Sequence, residues 1–356
     1  MSDEGTPPAP RANPDLVGHE VPEAMLRQLV DSDRLPHALL LSGPRGIGKA
    51  TLAFRLARYV LSRGGEGTAS DMFGTPIAPL EPGLAVSAES GAFRRVAAGG
   101  HADLLTVERA FDPRRRRLQN EIVIDNVREI GSFLRLTAAE GGWRVVVVDG
   151  ADAMNRNAAN ALLKILEEPP RRALLVLVAH SPGKLLPTIR SRCRQLKLSP
   201  LPDSTVRMLL ARYCPALAGE AAAATIIRLA EGSIGRAVEL AGSGGVELYE
   251  TMTAMLARRS GLDLLALHGF ADRLARADAE ESYRAVEELL RHYMAQQAVE
   301  AARACRPGDA ARWARVREKI GDEFARTDGL NLDRKQAILN AFFSLDAAVG
   351  TASTPR

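Results

Sequence analysis

The residues best suited to chemistry lie in the stretch GPRGIGKA, residues 43–50. Gly43, Gly48 and Lys49 occupy the fixed positions of a G-x-x-x-x-G-K-[ST] phosphate loop, with a further glycine at Gly46. An apolar run precedes it and a good helix-former, TLAFRLARYVL, follows, so the spacing predicts strand, loop, helix. Backbone N–H groups from Gly46 to Lys49, with the positive end of that helix, would form a nest for anionic oxygens. The last position fails the pattern, because Ala50 stands where a Ser or Thr hydroxyl would hold Mg²⁺ beside the phosphates. Thr51 cannot replace it, since one step along a helix turns a side chain by ~100°. Phosphate binding through the backbone and Lys49 is expected to survive, and metal-assisted hydrolysis is expected to suffer.

A second element, RVVVVDGADAMN, has an apolar strand ending in Asp149, as in the acidic strand that faces a phosphate loop. Gly150 takes the place of the glutamate that would polarise an attacking water, and a positioned base contributes ~10²-fold to 10⁴-fold in rate. Asp152 lies beyond the strand's end and is not expected to substitute. A lost metal ligand and a lost base point the same way: a nucleotide-binding scaffold without turnover. A third element, Ser191-Arg192-Cys193, directly precedes another apolar run. Spacing alone reads Arg192 as a surface arginine paired with a nearby acid at least as well as a catalytic one.

The elements that position these groups are legible from apolar periodicity. Five short runs, His37 to Leu41, Leu104 to Val107, Val145 to Val148, Leu174 to Val178 and Gln195 to Leu198, are too short for helices and too continuous for half-exposed strands. Separated by helical stretches, they predict an α/β domain with a five-stranded parallel sheet covered on both faces. In NRNAANALLKILEEPP, Ala158, Ala161, Leu162, Ile165 and Leu166 form one stripe, stopped by Pro169 and Pro170. After Pro200 only helical patterns remain, with the glycines of AGSGGV, 242–245, marking a hinge and Asp333 a candidate cap for the last firm helix.

The expected organisation is a disordered, Pro-rich lead-in over 1–13, the nucleotide-binding domain over 14–200, a small helical lid over 201–243, a helical collar over 246–348 and a tail over 349–356. Residues 61–100, rich in Gly, Ala, Pro and Ser, read as an irregular surface insertion. The chain has 356 residues, 46% of them apolar, and no apolar run approaches the ~20 residues of a membrane span. Three scattered cysteines, Cys193, Cys214 and Cys305, indicate neither a disulfide framework nor a zinc site, and a cytoplasmic setting is expected. The net charge of +4 comes from interspersed charges. The one block, Arg114 to Arg117, reads as a solvated loop or as a patch touching phosphates.

The ordered set HALLLSGPRGIGKATLA, VVVVDGADAMNRNAANALLKILEEPP, TIRSRCRQLKLSPL and EGSIGRAVEL resembles the clamp-loader subunits of the AAA+ class, and more narrowly the delta prime family of bacterial DNA polymerase III. The resemblance runs from about Val17 to Leu345, with its specific motifs between His37 and Arg236. It implies a ring-like pentamer that opens a sliding clamp and places it on primed DNA, with tau/gamma motor subunits and a delta subunit as partners. It implies that Arg192 is a finger acting in trans on a neighbouring motor subunit's ATP. It aligns Arg236 with a sensor that relatives place on bound nucleotide, beside a degenerate site made of Gly43, Gly46, Gly48, Lys49, Thr51 and Asp149. It implies no cofactor requirement, with ATP or ADP binding left open. Many members carry a four-cysteine zinc module where 61–100 lies; this chain has no cysteine there, so zinc is not expected. Two rivals stay open on the residues alone, an active motor ATPase and a stand-alone P-loop kinase.

Overall fold

The computed structural model describes residues 7–65, 83–112, 117–119, 121–140, 142–217, 219–257 and 261–350. They divide into two compact units, one comprising the chain to Tyr213 with Gly232–Gly235, the other Cys214–Glu231 with the chain from Arg236 onward.

The first unit contains α1 (Glu20–Asp31), β1 (Ala38–Ser42), α2 (Lys49–Gly65), α3 (Gly91–Ala97) and β2 (Leu104–Val107). A short antiparallel ribbon follows, β3 (Phe111–Asp112) with β4 (Arg117–Leu118). Then come α4 (Ile124–Arg135), β5 (Arg144–Asp149), α5 (Arg156–Glu167), β6 (Ala173–Ala179), α6 (Pro187–Arg192), β7 (Arg194–Lys197) and α7 (Asp203–Tyr213). The sheet has five strands in the order β2-β5-β6-β1-β7, and every pairing is parallel. Each of the five apolar runs is a strand.

Side chains alternate between the two faces, as the period of a strand requires. Leu40, Val146, Val148, Leu175 and Leu177 join one core with α4 and α5. Leu39, Leu41, Val145, Val147, Leu174 and Val176 join the other with α1 and α2. Covered on both sides, the central strands need no polar face, which is why they read as continuous apolar runs. Helix α5 starts where the Asn155 side chain accepts a hydrogen bond from the Ala158 N–H at 2.9 Å.

Two expectations for this unit need correction. Residues 7–13 are not a loose lead-in: the Arg58 guanidinium, 1% exposed, donates to the carbonyls of Arg11 at 2.8 Å and Asn13 at 2.7 Å. A buried guanidinium needs acceptors, and this segment supplies them. Nor is 61–100 irregular at its ends. Helix α2 continues to Gly65, and α3 is capped by Ser90 and buries Phe93 and Val96, a spacing too short to register as periodicity. Part of the segment, 66–82, lies outside the described residues, as does most of the Arg114 to Arg117 block.

The second unit is helical: α8 (Glu220–Ala230), most of α9 (Ile234–Gly242), α10 (Gly245–Leu256), α11 (Leu264–Leu274), α12 (Glu280–Arg303), α13 (Pro307–Leu330) and α14 (Arg334–Gly350). The expected lid is thus shared between the units, α7 in the first and α8 in the second. Tyr283 meets Phe324 across α12 and α13 at 5.5 Å, and Phe270 meets Phe342 across α11 and α14 at 6.0 Å. Asp333 accepts from the Lys335 N–H at 2.8 Å at the start of α14. Among the described residues no helix is long and apolar enough to cross a membrane.

Candidate functional site

The turn from β1 into α2 depends on glycine conformations. Gly46 and Gly48 have φ of 76° and 101°, in the left-handed region, which lets consecutive backbone N–H groups converge. The N–H groups of Lys49, Ala50 and Thr51 that open α2 have no preceding turn of helix to bond to and share that concavity, whereas the Leu52 N–H bonds to the Gly48 carbonyl at 2.9 Å. A cavity of about 380 Å³ opens over this loop, lined by Arg45 to Thr51, by Asp149 and His180, and by apolar residues including Leu16, Leu201 and Tyr213. All of its lining residues belong to the first unit.

Of the residues singled out from sequence, Gly46, Gly48, Lys49, Thr51 and Asp149 meet at this cavity. Gly43 stands behind it, where a Cβ would come 2.5 Å from the Leu198 carbonyl oxygen, so it fits the loop against the chain leaving β7. Arg236 falls in the second unit, where its guanidinium lies 3.4 Å from Glu231 and 3.7 Å from Glu288. Glu231 is held below the usual carboxylate range, chiefly by its hydrogen bond with His292.

Lys49 is 2% exposed, and its ammonium donates to the Pro44 carbonyl of its own loop. Burial pulls its pKa down to about 8, against the attraction of Asp149 and Asp152. Asp149, at the end of β5, is pushed up by burial and by Glu108, with Lys49 opposing. Burial and the Lys49 charge hold His180 neutral, with a pKa of about 4. An anion in the cavity would favour the charged form of the lysine, since opposite charge nearby favours the ionised form.

The two departures read from sequence have structural counterparts. Ala50 lines the cavity and brings no hydroxyl to it. Gly150 has φ of 79° and introduces the short turn after β5. Asp152 is engaged elsewhere: its carboxylate accepts from the N–H groups of His180 at 3.0 Å and Ser181 at 2.8 Å, fixing the chain beyond β6.

Sequence reasoning missed three supports of the loop. The buried His19 ring lies 2.6 Å, from its Nε2, from the Ile47 carbonyl oxygen, bracing the loop from beneath. Ser233 Oγ donates to the Arg45 carbonyl at 2.8 Å, and the Gly235 N–H to the Gly46 carbonyl at 2.9 Å. Ser233 and Gly235 lie in the GSIGRA motif, whose arginine alone had drawn attention. A lone histidine such as His19 carries no sequence signal.

Arg192 ends α6, immediately before the edge strand β7, with its side chain 37% exposed. It donates to the Thr188 carbonyl at 3.0 Å and lies 2.8 Å from the Glu167 carboxylate. It is not among the residues lining the cavity. The adjacent Cys193 is buried, its thiol pushed up to about 11, which suits a packing role. His101 accepts from the Asp103 N–H at 3.2 Å. Among the described residues no group of three or more His, Cys, Asp or Glu side chains is arranged to hold a metal ion.

The family model described as DNA polymerase III, delta subunit, matches residues 18–202. The DNA polymerase III subunit delta' of Pseudomonas aeruginosa is 37% identical over 223 residues, 62% of this chain and 61% of that protein. The Escherichia coli subunit delta' is 32% identical over 221 residues, 62% of this chain and 59% of that protein. The gamma/tau subunit of Mycobacterium tuberculosis is 29% identical over 287 residues, 79% of this chain and 46% of that protein. The matches thus cover less than two thirds of each relative's own length. With the phosphate loop, the β2-β5-β6-β1-β7 sheet and the helical remainder in place, the chain belongs to the DNA polymerase III delta' family of AAA+ clamp-loader proteins.

Proposed function

We propose that this chain is the stator of a DNA polymerase III clamp loader: it takes part in ATP-driven placement of the sliding clamp on primed DNA without hydrolysing ATP itself. Its partners are the tau/gamma motor subunits and the delta subunit, reached through the Arg192 face and the helices of the second unit. Clamp and DNA are engaged through the assembled complex. The modest net charge of +4 gives little ground for strong duplex affinity of its own.

One observation carries the reading. Arg192 is exposed at the end of α6 and absent from its own cavity, while that cavity lacks both a hydroxyl at residue 50 and an acid at residue 150. A guanidinium with no nucleotide to serve in cis is suited to stabilise charge on a phosphoryl group held by another subunit. Such fingers are worth ~10³-fold to 10⁵-fold in rate. An active motor would require the two missing groups.

The test is reconstitution with the cognate motor and delta subunits, comparing wild type with Arg192→Ala. Clamp- and DNA-stimulated ATP hydrolysis is expected to fall by the contribution of the motor site next to this chain. Equal rates would overturn the finger assignment, and magnesium-dependent turnover by the isolated chain would overturn the non-hydrolysing site.

A further inference from the structure

The two longest helices of the second unit, α12 and α13, form an antiparallel hairpin: Tyr283 meets Phe324 far from the turn, and Tyr293 meets Trp313, at 6.1 Å, nearer to it. Backbone bonds close the turn. The Arg306 N–H reaches the Ala301 carbonyl at 2.9 Å and the Cys305 N–H the Ala302 carbonyl at 3.0 Å, around Cys305 at φ of 54°. Arg303 and Arg306 therefore stand on ordered backbone at the tip of the hairpin.

Charge is spread unevenly over this unit. As a whole it has 18 Lys and Arg against 20 Asp and Glu, yet residues 300–319 carry six against three. Along α13, Arg312, Arg315 and Lys319 recur at three and four residues and share one side of the helix, a stripe ~10 Å long at 1.5 Å per residue. Arg303, Arg306, Arg315 and Lys319 are exposed. A single acid, Asp309, is divided between Arg306 at 3.4 Å and Arg312 at 2.7 Å. Arg317, on the other flank of α13, acts on Glu231 instead. Five of the six cations are arginines, whose planar forks match phosphate oxygens in pairs.

The residues between these charges are small. Ala302, Ala304, Ala311 and Ala314 are exposed, and the one aromatic ring of the stretch, Trp313, is buried against Tyr293. Such a surface lets a stiff polyanion approach closely. It offers single-stranded bases no exposed ring to stack on, and it lacks the aromatic anchor that dominates protein interfaces.

We propose that the tip of the α12–α13 hairpin is a weak, sequence-independent contact surface for the phosphate backbone of duplex DNA. Arg303, Arg306, Arg315 and Lys319 each take the place of counterions on the duplex. This goes beyond the stator reading, which brings DNA to the chain through the assembled complex. The modest charge of the whole chain argues against a strong duplex site and leaves room for a local one of three or four phosphates.

The experiment measures fluorescence anisotropy of a labelled 20-base-pair DNA duplex with the full chain from 50 to 200 mM NaCl. Three to four phosphate contacts are expected to lower the association constant ~40-fold to 150-fold over this range, from a slope of about −0.9 per phosphate. Arg303→Ala, Arg306→Ala and Arg315→Ala combined should weaken binding at 50 mM by about tenfold or more and reduce the slope by roughly 2–3. Lysine at the same three positions should keep the slope. Arg276→Ala, an equal loss of exposed charge just after α11, should leave it unchanged. Should the combined alanine variant unfold early, the single variants, each expected to reduce the slope by about one, provide the same test. An unchanged slope in the alanine variants would overturn the proposal by placing the contacts elsewhere on the chain. Absence of binding at 50 mM would overturn it as well. Tighter binding of a single strand of equal length, or of a polyglutamate peptide, would overturn the duplex as the occupant.

Discussion

Nη2 of Arg192 lies 2.8 Å from Oε1 of Glu167, joining the last residue of α6 to the last residue of α5. The pair is 37% and 50% exposed, and ion pairs in such settings contribute about 0–1 kcal/mol. Water and salt thus hold the bond weakly, and a phosphoryl group carrying more negative charge can displace it. Glu167→Gln is therefore expected to change unfolding stability by less than about 1 kcal/mol in urea titration. In the reconstituted complex it should hydrolyse ATP at least as fast as wild type. A loss as deep as the one expected of Arg192→Ala would mean that the carboxylate belongs to the working geometry of the proposed finger.

The sheet was legible in the sequence because burial on both faces leaves a simple trace: Val145 to Val148 and Leu174 to Val178 have no polar residue to interrupt them. The loop was legible because its glycines and lysine sit at fixed spacing. What escaped depends on partners distant in sequence. His19 meets Ile47 across 28 positions, Ser233 meets Arg45 across 188, and Arg58 meets Asn13 across 45. A Pro-rich stretch has the composition of a disordered segment, and only the buried guanidinium that binds its carbonyls shows otherwise. Arg236 was legible as a motif residue, but its acidic neighbours Glu231 and Glu288 were not, because Glu288 comes from the middle of α12.

Lys49 gives the cavity a pH signature. Burial sets its pKa at about 8 in the folded chain, below the 10.5 of a free lysine. Between these two values the unfolded chain binds a proton that the folded chain has released, so stability rises with pH across the window. Compared with Lys49→Met, the wild type should gain stability from about pH 8 to 10.5 and show no relative change between pH 6 and 7. Urea titrations of both proteins at each pH measure the difference. With a nucleoside diphosphate bound, the anion raises the lysine's pKa and the gain should shrink. A flat difference across the window would show that the ammonium is solvated rather than buried.

Gly235 is where the loop is most closely approached. A Cβ there would come 2.8 Å from Gly46 Cα and 3.4 Å from the Gly46 carbonyl oxygen, both backbone atoms that no rotamer change can move. Gly235→Ala must therefore push the loop or break the bond from the Gly235 N–H to Gly46, and overpacking of this kind costs about 1–3 kcal/mol. The same substitution at Gly321, inside α13 with nothing within 4 Å of a Cβ, has no such obstacle and should stabilise by about 0.5–1 kcal/mol through helix propensity. Urea unfolding of the two variants should thus move in opposite directions. Nucleotide affinity should fall in Gly235→Ala and stay at the wild-type value in Gly321→Ala. If Gly235→Ala kept both stability and affinity, the loop would have room to yield, and its bracing by the GSIGRA segment would not be what fixes the amides toward the cavity.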